Sequence, residues 1–112
     1  MKKLFEKINK FVDVRDWDKY HSPKNLAMAL SAETAEIVEL FQWLTEEESY
    51  KLDEKKMKML KEEIGDVMIY LTNLASKFDM DPVEAALQKL KLNEQKYPVD
   101  RVKGSNKKYN EY

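Results

Sequence analysis

The chain contains no cysteine, which excludes disulfides, thiolate nucleophiles and sulfur-ligated metals. It has one histidine, His21, so a zinc site built on imidazoles is also excluded. Only two glycines and three prolines occur in 112 residues. Alternating β-branched segments are missing too, so little material exists for hairpins or a sheet, and the expected fold is all-α. Neither sign of charge dominates: 37% of residues are charged, the formal net charge is −1, and the mean hydropathy is −0.72. No global basic field asks for nucleic acid. No stretch approaches the roughly 18 apolar residues that cross a bilayer. Charges interrupt the N-terminal "MKKLFEKINKFVDVRDW" throughout, so it lacks the apolar region of a signal peptide. The expectation is a cytoplasmic protein with no membrane and no nucleic-acid partner.

What the chain does have is helical periodicity. Leu4, Ile8 and Val12, with Phe5 or Phe11, form one face of a first helix over about residues 2–16. "HSP" then supplies a stop and a start, with Ser22 as N-cap and Pro23 at the first helical position. The second helix runs to about Leu44. "TEEESYKLDEKK" lacks periodic apolar positions and reads as a connection, with Asp53 as N-cap of a third helix. Leu60, Ile64, Val67, Leu71, Leu74 and Phe78 form that helix's apolar face. In "DMDPVE", Asp81, Pro82 and Glu84 spell N-cap, first-turn proline and capping-box partner. The fourth helix continues to about Tyr97, where Pro98 ends it. One helical domain, residues 1–98, and a polar tail with a basic middle, residues 99–112, complete the expected organisation.

The second helix contains a conflict. Glu33 lies within roughly 35° of the centre of the stripe formed by Leu26, Leu30, Ile37, Leu40, Phe41 and Leu44. Glu36 follows one turn later, near the stripe's edge. The third helix repeats the pattern: Glu63 and Asp66, three apart, share a face beside Tyr70 and Leu74, whereas Glu62 points away. Two helices thus each aim an E-x-x-[ED] pair at the interface they should share. On facing positions carboxylates approach to about 5 Å, and the summed repulsion of several pairs rivals a small domain's whole stability. Protonation, a neighbouring Lys or Arg, or a bound cation relieves that cost. Lys24, Lys58 and Lys61 belong to the polar sides, which leaves a divalent cation as the economical answer. Oxygen-only donors favour a hard ion, Mg²⁺ or Mn²⁺.

With these motifs, "RDWDKYHSPKNLAMALSAETAEIVELFQW", "EEIGDVMIYL" and "KLKLNEQKYP" resemble the MazG-like all-α nucleoside triphosphate pyrophosphohydrolases, in particular their dCTP pyrophosphatase branch. The resemblance covers about Arg15 to Pro98 and continues weakly into "KGSNKKY". It implies a four-helix bundle that hydrolyses a nucleoside triphosphate between its α and β phosphates, releasing a monophosphate and pyrophosphate. It implies Mg²⁺ held by Glu33, Glu36, Glu63 and Asp66, the catalytic set, in a role suited to in-line attack on phosphorus. Trp17 and Trp43 match positions that pack on the nucleobase, and Tyr70 one that positions the substrate. Lys89, Asn93 and Tyr97 recur every four residues as a strip beside the fourth helix's apolar face, and the resemblance assigns that strip to the phosphates.

One departure concerns the base. Members of the branch carry a histidine in the nucleotide pocket where this chain has Ile8, and replacing a hydrogen-bonding ring by an alkyl group changes what a pocket reads. Cytosine, a methylated or otherwise altered pyrimidine, and broad housecleaning of non-standard nucleotides all stay open. Apolar surface left over after one bundle closes, together with the family resemblance, points to a homotetramer built from dimers. The basic segment 101–108 could then reach over a neighbour's phosphate site. Two rival functions stand beside this reading: a non-catalytic helical adaptor binding a basic partner through its acidic face, and a phosphohydrolase acting on phosphoribosyl-ATP.

Overall fold

A computed structural model of the chain describes residues 2–104. Among these residues every regular element is helical: α1 (Lys2–Val14), a 3₁₀ turn (Asp18–Tyr20), α2 (Pro23–Phe41), α3 (Glu46–Ser49), α4 (Glu54–Ser76), α5 (Pro82–Lys96) and α6 (Val99–Val102). The expected all-α class is what the structure shows.

Local chemistry places the helix starts. Ser22 Oγ accepts from the Asn25 N–H at 3.1 Å, with Pro23 in the first turn of α2. Asp53 caps α4 by accepting from the Lys56 N–H at 2.8 Å. Asp81 caps α5 by itself, accepting from the Val83 and Glu84 N–H groups at 2.8 and 3.4 Å, so Glu84 does not close the expected capping box. The capping box occurs instead at α3, where Thr45 and Glu48 exchange both bonds at 2.9 and 3.1 Å. A four-residue helix is too short to display periodicity, and for that reason the segment reads as a plain connection in sequence. The Thr45 N–H also holds the Glu48 carboxyl below its ordinary pKa.

α1 ends where Asp16 takes φ 53°, a left-handed conformation that Asp tolerates better than most residues. The turn lets the Trp17 N–H reach back to the Val12 carbonyl at 3.1 Å. Trp17 then meets Phe11 edge-on at 5.7 Å, while the Arg15 guanidinium sits 3.7 Å above the Phe11 ring. Lys77 at the end of α4 pairs with Asp18 of the 3₁₀ turn at 2.6 Å, and its hydrogen bond holds the Asp18 carboxyl below the usual range.

The principal packing is α2 against α4; α1 adds to α4, and α5 touches α4 only narrowly. Ile8, Val12 and Leu26 are the buried apolar residues. The four long helices do not close around one core within a single chain. The radius of gyration is 17.6 Å, against about 13 Å for a compact domain of this length. Ile64 and Phe78, expected in the core face of the third helix, are 49% and 57% exposed. The rest of their stripe, Leu60, Val67, Leu71 and Leu74, is half-buried, so among the described residues the stripe is only partly covered. No described helix is long and apolar enough to cross a membrane. The basic segment 101–108 extends past the described residues.

Candidate active site

α2 and α4 bring the two acidic motifs together. One carboxylate oxygen each from Glu33, Glu36 and Glu63 lies within 4.8 Å of the others. Glu33, Glu63 and Asp66 are half-buried and Glu36 is exposed, so the cluster opens to solvent on one side. Glu33 Oε2 and Glu63 Oε2 are both sealed from solvent without a hydrogen-bond partner. Two ionised carboxylates are both acceptors, so neither satisfies the other; a proton or a cation has to stand between them.

The titration of the cluster expresses the same conflict. Burial, followed by the charges of Glu36 and Asp66, raises the Glu33 carboxyl above its ordinary pKa, with the hydrogen bond from Glu63 opposing. Glu63 is pushed up to about 7, first by its hydrogen bond with Glu36 and then by burial. Both Glu33 and Glu63 are raised by their shared surroundings, so without a cation the cluster tends to keep a proton. Asp66 joins through its charge on Glu33, although its oxygens lie outside the tight trio. Hard oxygen donors with orphaned, buried acceptor atoms fit a divalent cation, and that fit rests on the donor chemistry itself.

A pocket of about 300 Å³ opens beyond the acidic cluster, between α1, the 3₁₀ turn and α4. Trp17 and Tyr70 both line it, with Ile8, Phe11 and Val12 from α1. At 100° per residue, Glu63, Asp66, Tyr70 and Asn73 share one face of α4 within roughly 80°. That face therefore carries acid at one end and an aromatic pocket at the other. The sequence reading singled out neither Asn73 nor His21 as a site residue. Both line this pocket, with Asn73 Nδ2 at 3.2 Å from His21 Nδ1. The signal was present: Asn73 is a polar residue beside the apolar stripe of α4, the same conflict that singled out Glu33.

The other expected substrate contacts are not assembled with these. Trp43 is 86% exposed, just past the end of α2. Lys89 is exposed and borders a shallow groove with Asp79, Asp81 and Glu84. Asn93 on α5 and Tyr97 at its C-cap are half-buried. Because α5 meets α4 only narrowly, the helix that carries Lys89 and Asn93 packs little against the one that carries Glu63 and Asp66.

With this geometry in view, comparison with known proteins gives a consistent result. The profile of the MazG-like family matches residues 28–112. The dCTP pyrophosphatase 1 of Mus musculus is 41% identical over 101 residues, 88% of this chain and 59% of that protein. The Homo sapiens protein of the same name is 39% identical over 103 residues, 90% of this chain and 61% of that protein. The chain thus spans about 60% of the length of these relatives. A crystal structure of a pyrophosphatase from Archaeoglobus fulgidus superposes with a TM-score of 0.82 at 42% identity, covering 88% of this chain and 92% of that one.

Proposed function

Since the chain belongs to the MazG-like family, we propose that it is a Mg²⁺-dependent nucleoside triphosphate pyrophosphohydrolase. Water adds at the α phosphorus, the bond to the β-phosphate oxygen breaks, and a monophosphate and pyrophosphate leave. The observation that carries this reading is the convergence of Glu33, Glu36 and Glu63 with two buried oxygens left unpartnered. These three residues and Asp66 would hold the ion. When bound, a divalent cation supplies positive charge beside phosphate oxygens and makes a coordinated water more acidic.

The chain's own residues do the rest. Trp17 and Tyr70 offer faces on which a base stacks, beside the apolar wall of Ile8, Phe11 and Val12. Stacking of this kind contributes about 1 to 3 kcal/mol per base in nucleic-acid complexes. The names of the mouse and human relatives suggest dCTP or a modified form of it as substrate, in a cytoplasmic housecleaning role. Trp43, Lys89, Asn93 and Tyr97 would complete the site from a second copy. Val83, Leu87 and Leu90 of α5 are 46%, 55% and 58% exposed, which supports a homotetramer in which another chain covers them.

The test is incubation of pure protein with a panel of nucleoside triphosphates, with and without Mg²⁺. Pyrophosphate and a monophosphate are expected only when the metal is present. Release of orthophosphate, or no turnover of any nucleotide, refutes the reading. Sedimentation velocity checks the assembly, and a monomer at micromolar concentration removes it.

A further inference from the structure

The largely apolar pocket, which Lys7 also lines, contains the polar pair of Asn73 and His21, and the pair's geometry implies a selection rule that rests on the nucleotide reading above. Asn73 is 8% exposed. Its amide nitrogen lies 3.2 Å from His21 Nδ1. An amide nitrogen only donates, so this contact is a hydrogen bond only when Nδ1 is unprotonated and the imidazole carries its proton on Nε2. The amide is thereby held in one orientation. Its other atom, Oδ1, receives no hydrogen bond from the described residues, and it is not among the sealed, unpartnered atoms as the Thr72 hydroxyl is. Asn73 thus presents an acceptor to a pocket whose other walls are Lys7 and the apolar and aromatic side chains, Leu4, Ile8, Phe11, Val12 and Ile69 among them.

We propose that Asn73, oriented by His21, selects a base whose edge carries an exocyclic amino group over the same base with an oxo group there. An amino group donates to Oδ1. An oxo group sets two acceptors against each other at that position, a mismatch the amino group does not meet. The rule applies to cytosine against uracil and to adenine against hypoxanthine alike, whichever ring size the pocket admits. The branched alkyl wall at Ile8 offers no hydrogen bond to either class. His21 is a positioning residue: it touches Asn73 and acts on the base through it. Asp66 lies seven residues before Asn73, roughly 10 Å along the helix axis, so the phosphate end and the base edge are read from one rigid element.

Two pairs of substrates differing only at that edge test the rule: dCTP against dUTP, and dATP against dITP. Pyrophosphate release gives kcat/KM for each, and calorimetry with the α,β-methylene analogues gives affinity without turnover. The amino member is expected to win by about tenfold or more within whichever pair is accepted. Asn73→Leu should bring that ratio to within about threefold of unity. Asn73→Asp, nearly isosteric and still presenting an oxygen, should keep it. The His21 imidazole ¹⁵N spectrum reads the orientation directly in the unsubstituted protein, with Nδ1 expected bare and Nε2 protonated. His21→Ala should narrow the ratio through KM of the amino substrate, with kcat nearly unchanged. A protonated Nδ1, equal affinity for the two members of each pair, or a ratio that survives Asn73→Leu overturns the proposal. Hydrolysis of all four nucleotides at equal rates defeats the selection rule while the pyrophosphohydrolase reading stands. Absence of turnover with the affinity difference intact defeats that reading and leaves the rule supported.

Discussion

Metal loading of the acidic cluster should be visibly coupled to protons. Glu63 is pushed up to about 7 by Glu36 and by burial, and a cation requires it as a carboxylate. With a pKa of about 7 the cluster carries this proton in about nine-tenths of molecules at pH 6, half at pH 7 and one-tenth at pH 8. Binding must expel that fraction, so proton competition weakens apparent affinity by about elevenfold at pH 6, about twofold at pH 7 and hardly at all at pH 8. Affinity for Mg²⁺ should therefore rise about fivefold from pH 6 to 7 and less than about twofold from 7 to 8. The raised Glu33 carboxyl steepens the acid side further. Calorimetry in two buffers of different ionisation enthalpy measures both the affinity and the protons released, and Glu63→Gln should flatten the profile. Affinity independent of pH between 6 and 8, with no proton release, would refute the reasoning.

Without metal, Glu63 favours the folded state only while protonated. Its folded pKa lies above the ordinary 4.5, so stability complete below that value is lost as pH rises through about 7. The melting temperature of metal-free protein should fall over that window, and saturating Mg²⁺ should remove the fall. Glu36→Gln and Glu63→Gln should each abolish pyrophosphate release while circular dichroism stays helical, and Glu63→Gln should raise the metal-free melting temperature at pH 8. Full activity of either variant counts against the site. Trp17→Ala should raise KM by about tenfold or more with the helices intact, and an unchanged KM would remove the indole from the binding pocket.

Local features were the most legible ones in the sequence. Ser22, Asp53 and Asp81 each pair a short polar side chain with the start of an apolar period, and each caps its helix in the structure. Glu33 was legible because a carboxylate in a leucine stripe contradicts its surroundings, and the contradiction located its partners on α4. Closure of the bundle was not legible. Periodicity shows that Ile64 and Phe78 share an apolar face but not which chain covers it, and here both are exposed. Asn73 escaped notice because a single amide beside an apolar stripe is a weaker conflict than a charge. Its meaning depends on His21, 52 positions away in the chain.

The left-handed turn at Asp16 has a consequence for how this sequence is free to change. The side chain of residue 16 makes only a surface pair with Lys19, yet its φ of 53° sets the direction in which the next residue, the indole of Trp17, leaves the backbone. Glycine or asparagine could replace it at little cost, whereas valine or isoleucine would meet a steric barrier. Relieving that barrier would tilt the ring against which a base is to lie. A surface position that a mutational scan would dismiss as inert is thus expected to tolerate only a narrow alphabet, and to register its losses as weaker substrate capture before any loss of fold.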